Sequence, residues 1–204
     1  MEYTAVVRRR RMVRNYDPDR LVSRETIEQL LELAIRAPSA GFSQGWHFLV
    51  LDDADARSEF WRLTTRPGEP DQWLLGLKSA PALILALSDK AIYLDRYAEA
   101  DKGWTDRDEA RWPVPYWDID TGMASLLVLL GAVDQGLASC FFGVPADAQS
   151  AVKDGLGIPA RMSIVGVISL GYSAPDHRSP SLRRGRRGLD QVLSYGRMDV
   201  ASAG

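Results

Sequence analysis

The chain has 204 residues, 46% apolar and 25% charged, with a formal net charge of −2. That length suits one compact domain with a sizeable core, and the composition excludes intrinsic disorder. The mildly acidic balance argues against a general nucleic-acid binder, and the single cysteine, Cys140, excludes an internal disulfide and a cysteine-rich metal site.

In chain order, residues Met1 to Val7 lack the apolar core of a secretory signal, and Arg8, Arg9, Arg10 and Arg11 follow as an unbroken basic run. By spacing alone that run reads as a solvated helix face. Ser23 caps a helix whose residues Ile27, Leu30, Leu31, Ala34 and Ile35 keep the helical apolar rhythm, and Pro38 stops it. Trp46 to Leu51 reads as a short strand, as does Ala82 to Leu87 after Pro81. Between them Ala54 to Thr65 and Gln72 to Ser79 read as helices, parted by a Pro67-Gly68 turn, and Ile92 to Ala100 reads as another. Trp104 to Trp117 holds three Trp, one Tyr and two Pro; it suits a pocket cover or a hydrophobic dimer contact. Ile119 to Leu137 is a helix apolar on nearly every side, expected at the centre of a core or a subunit interface. Its apolar stretch, Met123 to Val133, is too short to span a bilayer. Pro145 opens a helix ending near Gly155 or Gly157, and Ser163 to Leu170 is a β-branched strand closed by Gly171. From Pro175 the chain is polar, with one apolar patch at Leu189, Val192, Leu193 and Tyr195 and a second basic cluster at Arg183, Arg184, Arg186 and Arg187. Long helical connections between strands leave α+β and α/β both open. No repeat breaks the chain, so residues 1–204 are expected to form one domain, with 175–204 as a C-terminal arm. A cytoplasmic location is the default expectation.

The residues restrict the chemistry. With only His47 and His177 there is no three-histidine metal site, and no Gly-x-Ser-x-Gly turn supports a hydrolase nucleophile. His47, inside an apolar strand, reads as a structural histidine, and Cys140 as a small core residue. Neither a Walker loop nor a Gly-x-Gly-x-x-Gly fingerprint is present, so a phosphate would have to be held by arginines, whose planar fork suits it.

Three segments then stand in order: Arg10-Arg11-Met12-Val13-Arg14-Asn15-Tyr16, then Ala37-Pro38-Ser39-Ala40-Gly41-Phe42-Ser43-Gln44-Gly45-Trp46, then Arg184-Gly185-Arg186-Arg187-Gly188-Leu189. Together they resemble the FMN-binding nitroreductase family, which opens on Arg-Arg-Ser-x-Arg-x-Phe/Tyr, continues with Ala-Pro-Ser-Ser-x-Asn-x-Gln-Pro-Trp and closes on a basic motif. The resemblance implies an α+β fold with a mostly antiparallel central sheet flanked by helices. It also implies a homodimer with a long buried interface helix and FMN in a cleft between subunits. By position, Arg10 and Arg11 match the family's first basic pair, on the phosphate and ring side, with Met12 in the place of its Ser. Arg14 matches the cation near the flavin's pyrimidine edge, where positive charge stabilises the reduced ring. Pro38, Ser39, Ala40, Phe42 and Gln44 match the second motif, whose serine reaches the flavin of the other subunit. Arg184, Arg186 and Arg187 span the phosphate motif without singling out one contact, and the backbone at Gly143 is placed loosely near flavin N5. Phe42 stands where Asn is common and Gly45 where Pro is common.

The implied activity is transfer of hydride from NADH or NADPH to FMN and on to an electron-poor aromatic acceptor, a nitroaromatic or quinone, with ping-pong kinetics; no protein residue acts as a nucleophile. Two other readings are a flavin-storage protein without turnover and a deazaflavin-linked member of the same fold. The second draws on 21 Arg against 4 Lys, a bias pointing to a GC-rich genome of the actinobacterial type. No nucleic acid and no membrane are expected as partners.

Overall fold

The computed structural model describes residues 1–65, 68, 72–176 and 179–198; the Pro67 half of the expected turn and His177 lie outside them. Four strands, β1 (Trp46–Leu51), β2 (Ala82–Asp89), β3 (Ala138–Phe142) and β4 (Met162–Gly171), form a sheet in the order β1-β2-β4-β3. Every neighbouring pair is antiparallel, which settles the fold as α+β. The helices are α1 (Tyr3–Arg9), α2 (Arg24–Ala34), α3 (Ala54–Thr64), α4 (Gln72–Lys78), α5 (Lys90–Ala98), α6 (Tyr116–Asp134) and α7 (Gln149–Gly155).

β2 is buried along its whole length because strands flank it and helices cover both faces. Its period of two sends Leu83, Leu85 and Leu87 to a core with Phe60, Trp61, Leu77, Cys140 and Val167. Ala82 and Ile84 enter the opposite core, with Leu30 and Ala34 of α2 and Ala124 and Val128 of α6. Side-chain caps start three helices: Ser23 accepts from the Thr26 N–H (3.2 Å), Asp53 from Ala56 (2.8 Å) and Asp89 from Ala91 (3.0 Å). Each such cap is worth about 1 kcal/mol.

Several expectations are corrected. The helix expected over Ile119 to Leu137 begins and ends three residues earlier. Gly136 takes the left-handed conformation (φ 74°) and Leu137 N–H returns to the Ala132 carbonyl (2.7 Å), so the chain leaves the helix and enters β3, a strand not among those expected from the sequence. Nor does one chain bury α6 all round. Trp117, Ala124, Val128 and Ala132 are buried, but Tyr116, Ile119, Met123 and Leu126 form an exposed stripe at helical spacing. At 19 residues α6 is also long and apolar enough to cross a membrane by length and composition, although half of that window is buried inside the chain's own fold. His47 lies on the edge strand β1 with its side chain exposed, not in the core. Ile35 caps α2 and is exposed as well. The described part of the arm consists of two short 3-10 turns, Pro180–Arg184 and Leu189–Gln191, and leaves Leu189, Val192, Leu193 and Tyr195 exposed.

Candidate functional site

After α1 the chain straightens and adds to the sheet edge. Met12 pairs with Ser139 of β3 in a parallel bridge, and Val13 N–H donates to the Ser139 carbonyl (3.0 Å). This brings the first motif to the C-terminal end of α6 and divides its arginines. Arg11 lines a cleft of about 450 Å³ with Arg8, Arg9, Val133 and Ser139. Arg14 lines a different cleft of about 620 Å³ with Asn15, Trp73, Gly76, Pro175 and Asp176. Arg10 and Arg14 both bear electrostatically on Cys140; burial pushes that thiol up and the two arginines only partly oppose it. One guanidinium nitrogen of Arg10, Nη1, is buried with no hydrogen-bond partner among the described residues. Leaving such a donor unpaired costs about 1–3 kcal/mol, so the position favours an acceptor from outside the chain.

The segment carrying Arg14 is held from several sides. Arg14 N–H donates to Asp176 Oδ2 (3.0 Å) and its Nη1 to the Met12 carbonyl (3.1 Å). Asn15 Nδ2 donates to the Pro175 carbonyl (2.7 Å) and Tyr16 N–H to Ser79 Oγ (2.9 Å). The Tyr16 hydroxyl lies 2.6 Å from the Val13 carbonyl and 2.7 Å from Ser169 Oγ, and burial pushes its phenol well above the ordinary value. α4 presses so closely that a Cβ on Gly76 would stand 2.0 Å from the Arg14 carbonyl oxygen. Met12, in the place of the family's Ser, packs against β3 and accepts from Phe141 N–H through its sulfur (3.4 Å).

The second motif lies elsewhere, against the N-terminal half of α6 and against α5. Ser39 Oγ accepts from Gln44 N–H (3.0 Å) and Ser43 Oγ donates to the Ala40 carbonyl (2.7 Å). Arg96 Nε donates to the Gly41 carbonyl (3.0 Å). Asp120, buried in α6, accepts on one oxygen from both Ala40 N–H and the Tyr93 hydroxyl, each at 2.8 Å. Burial and that carboxylate together raise the Tyr93 phenol far above its usual range. Phe42 and Gln44 both sit at φ 56°, a left-handed conformation costing about 1–3 kcal/mol for a residue with a side chain. A loop clamped into that strain projects Phe42 outward, 75% exposed. Gly45 stands where Pro is common because a Cβ there would come within 2.4 Å of the Tyr93 ring and 2.9 Å of the Asp89 carbonyl.

One chain therefore does not bring its motifs together. From Asp120 to Asp134 α6 rises about 21 Å, with the Ser39 loop at one end and the arginine segment at the other. Pro38 is exposed beside the loop, and Gly143 follows β3 with open space where a Cβ would be. Arg184, Arg186 and Arg187 are exposed on the arm; Arg187 Nη2 donates to the Gln191 carbonyl (2.5 Å). The Trp104 to Trp117 segment folds onto its own chain, with the Trp112 ring 4.5 Å from that of Tyr97 and 6.1 Å from that of Tyr93. Sequence reasoning missed Trp73, Gly76, Tyr93, Asp120 and Asp176. Asp120 alone carried a local signal, a carboxylate inside an apolar helix.

An antiparallel four-stranded sheet flanked by helices, with Arg8, Arg9 and Arg11 lining a cleft at one edge and Arg14 and Trp73 lining another, defines the class: an α+β protein. The Nitroreductase family model matches residues 7–172, and the chain belongs to that family; it is an oxidoreductase. It is 32% identical over 223 residues to the 4-nitrobenzoate reductase of Nocardioides sp. (strain LMS-CY), covering 95% of this chain and 89% of the relative. It is 30% identical over 165 residues to an Archaeoglobus fulgidus protein named for NADH dehydrogenase/NAD(P)H nitroreductase activity, covering 80% of each. Among solved structures, a nitroreductase-type protein of Desulfovibrio desulfuricans in complex with FMN superposes with a TM-score of 0.70 at 24% identity, covering 98% of this chain and 99% of that one, a likeness of fold.

Proposed function

We propose that the protein is a homodimeric, FMN-dependent oxidoreductase of the cytoplasm that takes hydride from a reduced nicotinamide and reduces an electron-poor aromatic acceptor, a nitroaromatic or a quinone. The observation that carries this reading is the buried Arg10 nitrogen without a hydrogen-bond partner, set in the first family motif. A phosphate dianion supplies the acceptor that Arg10 lacks, and arginine is the side chain best suited to it. The residues present fit FMN. Arg10, with Arg184, Arg186 or Arg187, holds the phosphate, and Arg14 faces the pyrimidine edge. The bare backbone at Gly143 lets a flat ring lie close. Bound there, FMN supplies the two-electron chemistry, and one site used by donor and acceptor in turn gives ping-pong kinetics.

The dimer supplies the remaining contacts. The open stripe Ile119, Met123 and Leu126 and the apolar arm residues call for a covering surface. A two-fold axis that packs α6 against its copy in antiparallel fashion sets the loop end of one helix beside the arginine end of the other. Ser39, Ala40, Phe42 and Gln44 of the partner subunit then meet the flavin held by Arg10 and Arg14, and the arm residues Leu189, Val192, Leu193 and Tyr195 pack against the partner. The expected result is a yellow dimer with about one FMN per subunit that oxidises a nicotinamide in the presence of a nitroaromatic. Colourless protein that refuses added FMN overturns the cofactor assignment, and a folded FMN-loaded monomer in sedimentation overturns the shared site.

A further inference from the structure

The cleft of about 620 Å³ beside Arg14 holds one positive and one negative side chain. Among the described residues that line it, Arg14 and Asp176 alone are charged. Asp176 is fixed in place: its Oδ2 accepts from Arg14 N–H (3.0 Å), and Asn15 Nδ2, donating to the Pro175 carbonyl (2.7 Å), ties the same two segments together. The guanidinium does not neutralise this carboxylate. Arg14 Nη1 donates to the Met12 carbonyl (3.1 Å), and neither Arg14 nor Asp176 forms an ion pair among the described residues.

Two fixed charges of opposite sign therefore act on whatever fills the cleft, and buried neighbours already feel both. Burial pushes the Cys140 thiol up; Arg14 opposes that rise and Asp176 adds to it. The Tyr16 phenol, raised chiefly by burial, feels the same pair with the same signs. The bond to Arg14 N–H does not account for the charge, because it needs no more than an acceptor oxygen, which Asn or Ser would supply. A carboxylate beside an anionic cofactor also opposes binding, so its presence calls for another effect.

We infer that Asp176 is a positioning residue for the flavin reaction: it anchors the Arg14 segment and sets a counter-charge against Arg14, so the flavin's midpoint potential lies lower than Arg14 alone would make it. The inference rests on the proposed function for the flavin at Arg14. Reduction brings negative charge to the pyrimidine side of the ring; Arg14 favours that charge and Asp176 opposes it. Together they make the bound cofactor a stronger reductant than Arg14 by itself would, which suits transfer to a weak acceptor. Because the oxidised ring is neutral, Asp176 acts on the affinity for reduced FMN more than on that for oxidised FMN.

The test is redox titration of the FMN-loaded protein as wild type, Asp176→Asn and Asp176→Glu. Asp176→Asn removes the charge and keeps an acceptor for Arg14 N–H. The side chain is exposed, so the fold is expected to survive, and circular dichroism checks this. Asp176→Asn is expected to favour the reduced cofactor by about threefold or more, a rise of about 15 mV for a two-electron couple, opposite in sign to the shift expected for Arg14→Ala. Asp176→Ser removes the same charge with a different side chain and is expected to raise the potential likewise. Asp176→Glu keeps the charge and is expected to stay near the wild-type potential. An unchanged or lowered potential in Asp176→Asn and Asp176→Ser, or an Asp176→Glu variant that rises as far as they do, overturns the inference and leaves the proposed function intact. Protein that takes up no FMN overturns the proposed function and the inference with it.

Discussion

Asp120 is the residue on which the second motif hangs, and its geometry makes the cost of replacing it calculable. Both donors, Ala40 N–H and the Tyr93 hydroxyl, converge on the same carboxylate oxygen at 2.8 Å. Asp120→Ala leaves both unpaired. An unpaired buried donor costs about 1–3 kcal/mol, and water can reach the part-buried Ala40 N–H more easily than Tyr93, so a loss of about 3 kcal/mol is expected. That is a large share of the roughly 5–15 kcal/mol available to a domain. Asp120→Asn behaves differently because a single carboxamide oxygen can accept both bonds. It forfeits only the charge assistance, about 1 kcal/mol, and part of that is returned because a buried charge is removed. Urea unfolding of the two variants and the wild type measures these differences. Two further readouts report on mechanism. Without the carboxylate the Tyr93 phenol should titrate at lower pH in Asp120→Asn, seen in its ultraviolet absorbance. With Ala40 released, the strained Phe42 and Gln44 can relax, and FMN affinity should fall by about tenfold in Asp120→Ala. A wild-type urea midpoint for Asp120→Ala, or an Asp120→Asn variant as unstable as Asp120→Ala, would refute the reasoning.

Arg14→Ala should lower the flavin midpoint potential by about 40 mV, the equivalent of about 2 kcal/mol for a two-electron couple, while weakening FMN binding only modestly. Redox titration checks this, and an unchanged potential removes Arg14 from the pyrimidine edge. Gly76→Ala must push α4 or the Arg14 backbone aside, since its Cβ would stand 2.0 Å from the Arg14 oxygen; a loss of about 1–3 kcal/mol in thermal unfolding is expected, and a neutral result would mean that the close approach is absent. Tyr16 and Tyr93 both have folded-state pKa values raised above the unfolded value near 10. The folded protein thus holds more protons, and the stability present below about pH 10 is lost as the pH rises beyond it, by at most about 2.7 kcal/mol per pH unit for two groups. Urea midpoints from pH 8 to 11 should decline in this way, and a flat profile would contradict the burial of the two phenols.

Much of this molecule was legible in the linear chain because its signals are local. Ser23 and the apolar rhythm after it sufficed to place α2, and β2 and β4 announced themselves as apolar runs bounded by Pro81 and Gly171. The three motifs carried the family for a similar reason, since each is a contiguous run that keeps its identity wherever the fold places it. The exposed stripe of α6 was not legible there, because the segment reads as apolar on nearly every side and only the packing leaves Ile119, Met123 and Leu126 uncovered.

The rest depended on residues far apart in the chain. β3 is only five residues long and follows α6 after three residues, so pairing with β4 and the turn at Gly136 were needed to make it a strand. The separation of Arg11 from Arg14 into two clefts follows from Met12 bridging Ser139, 127 positions away, and two arginines three positions apart carry no mark of that division in the sequence. Asp120 gained its role from Ala40, 80 residues distant, and Gly76 from the backbone of Arg14. Periodicity and motif order record what neighbouring residues do to one another. Which buried donor meets which carboxylate, and which arginine is left without a partner, is fixed only when the distant segments close on each other.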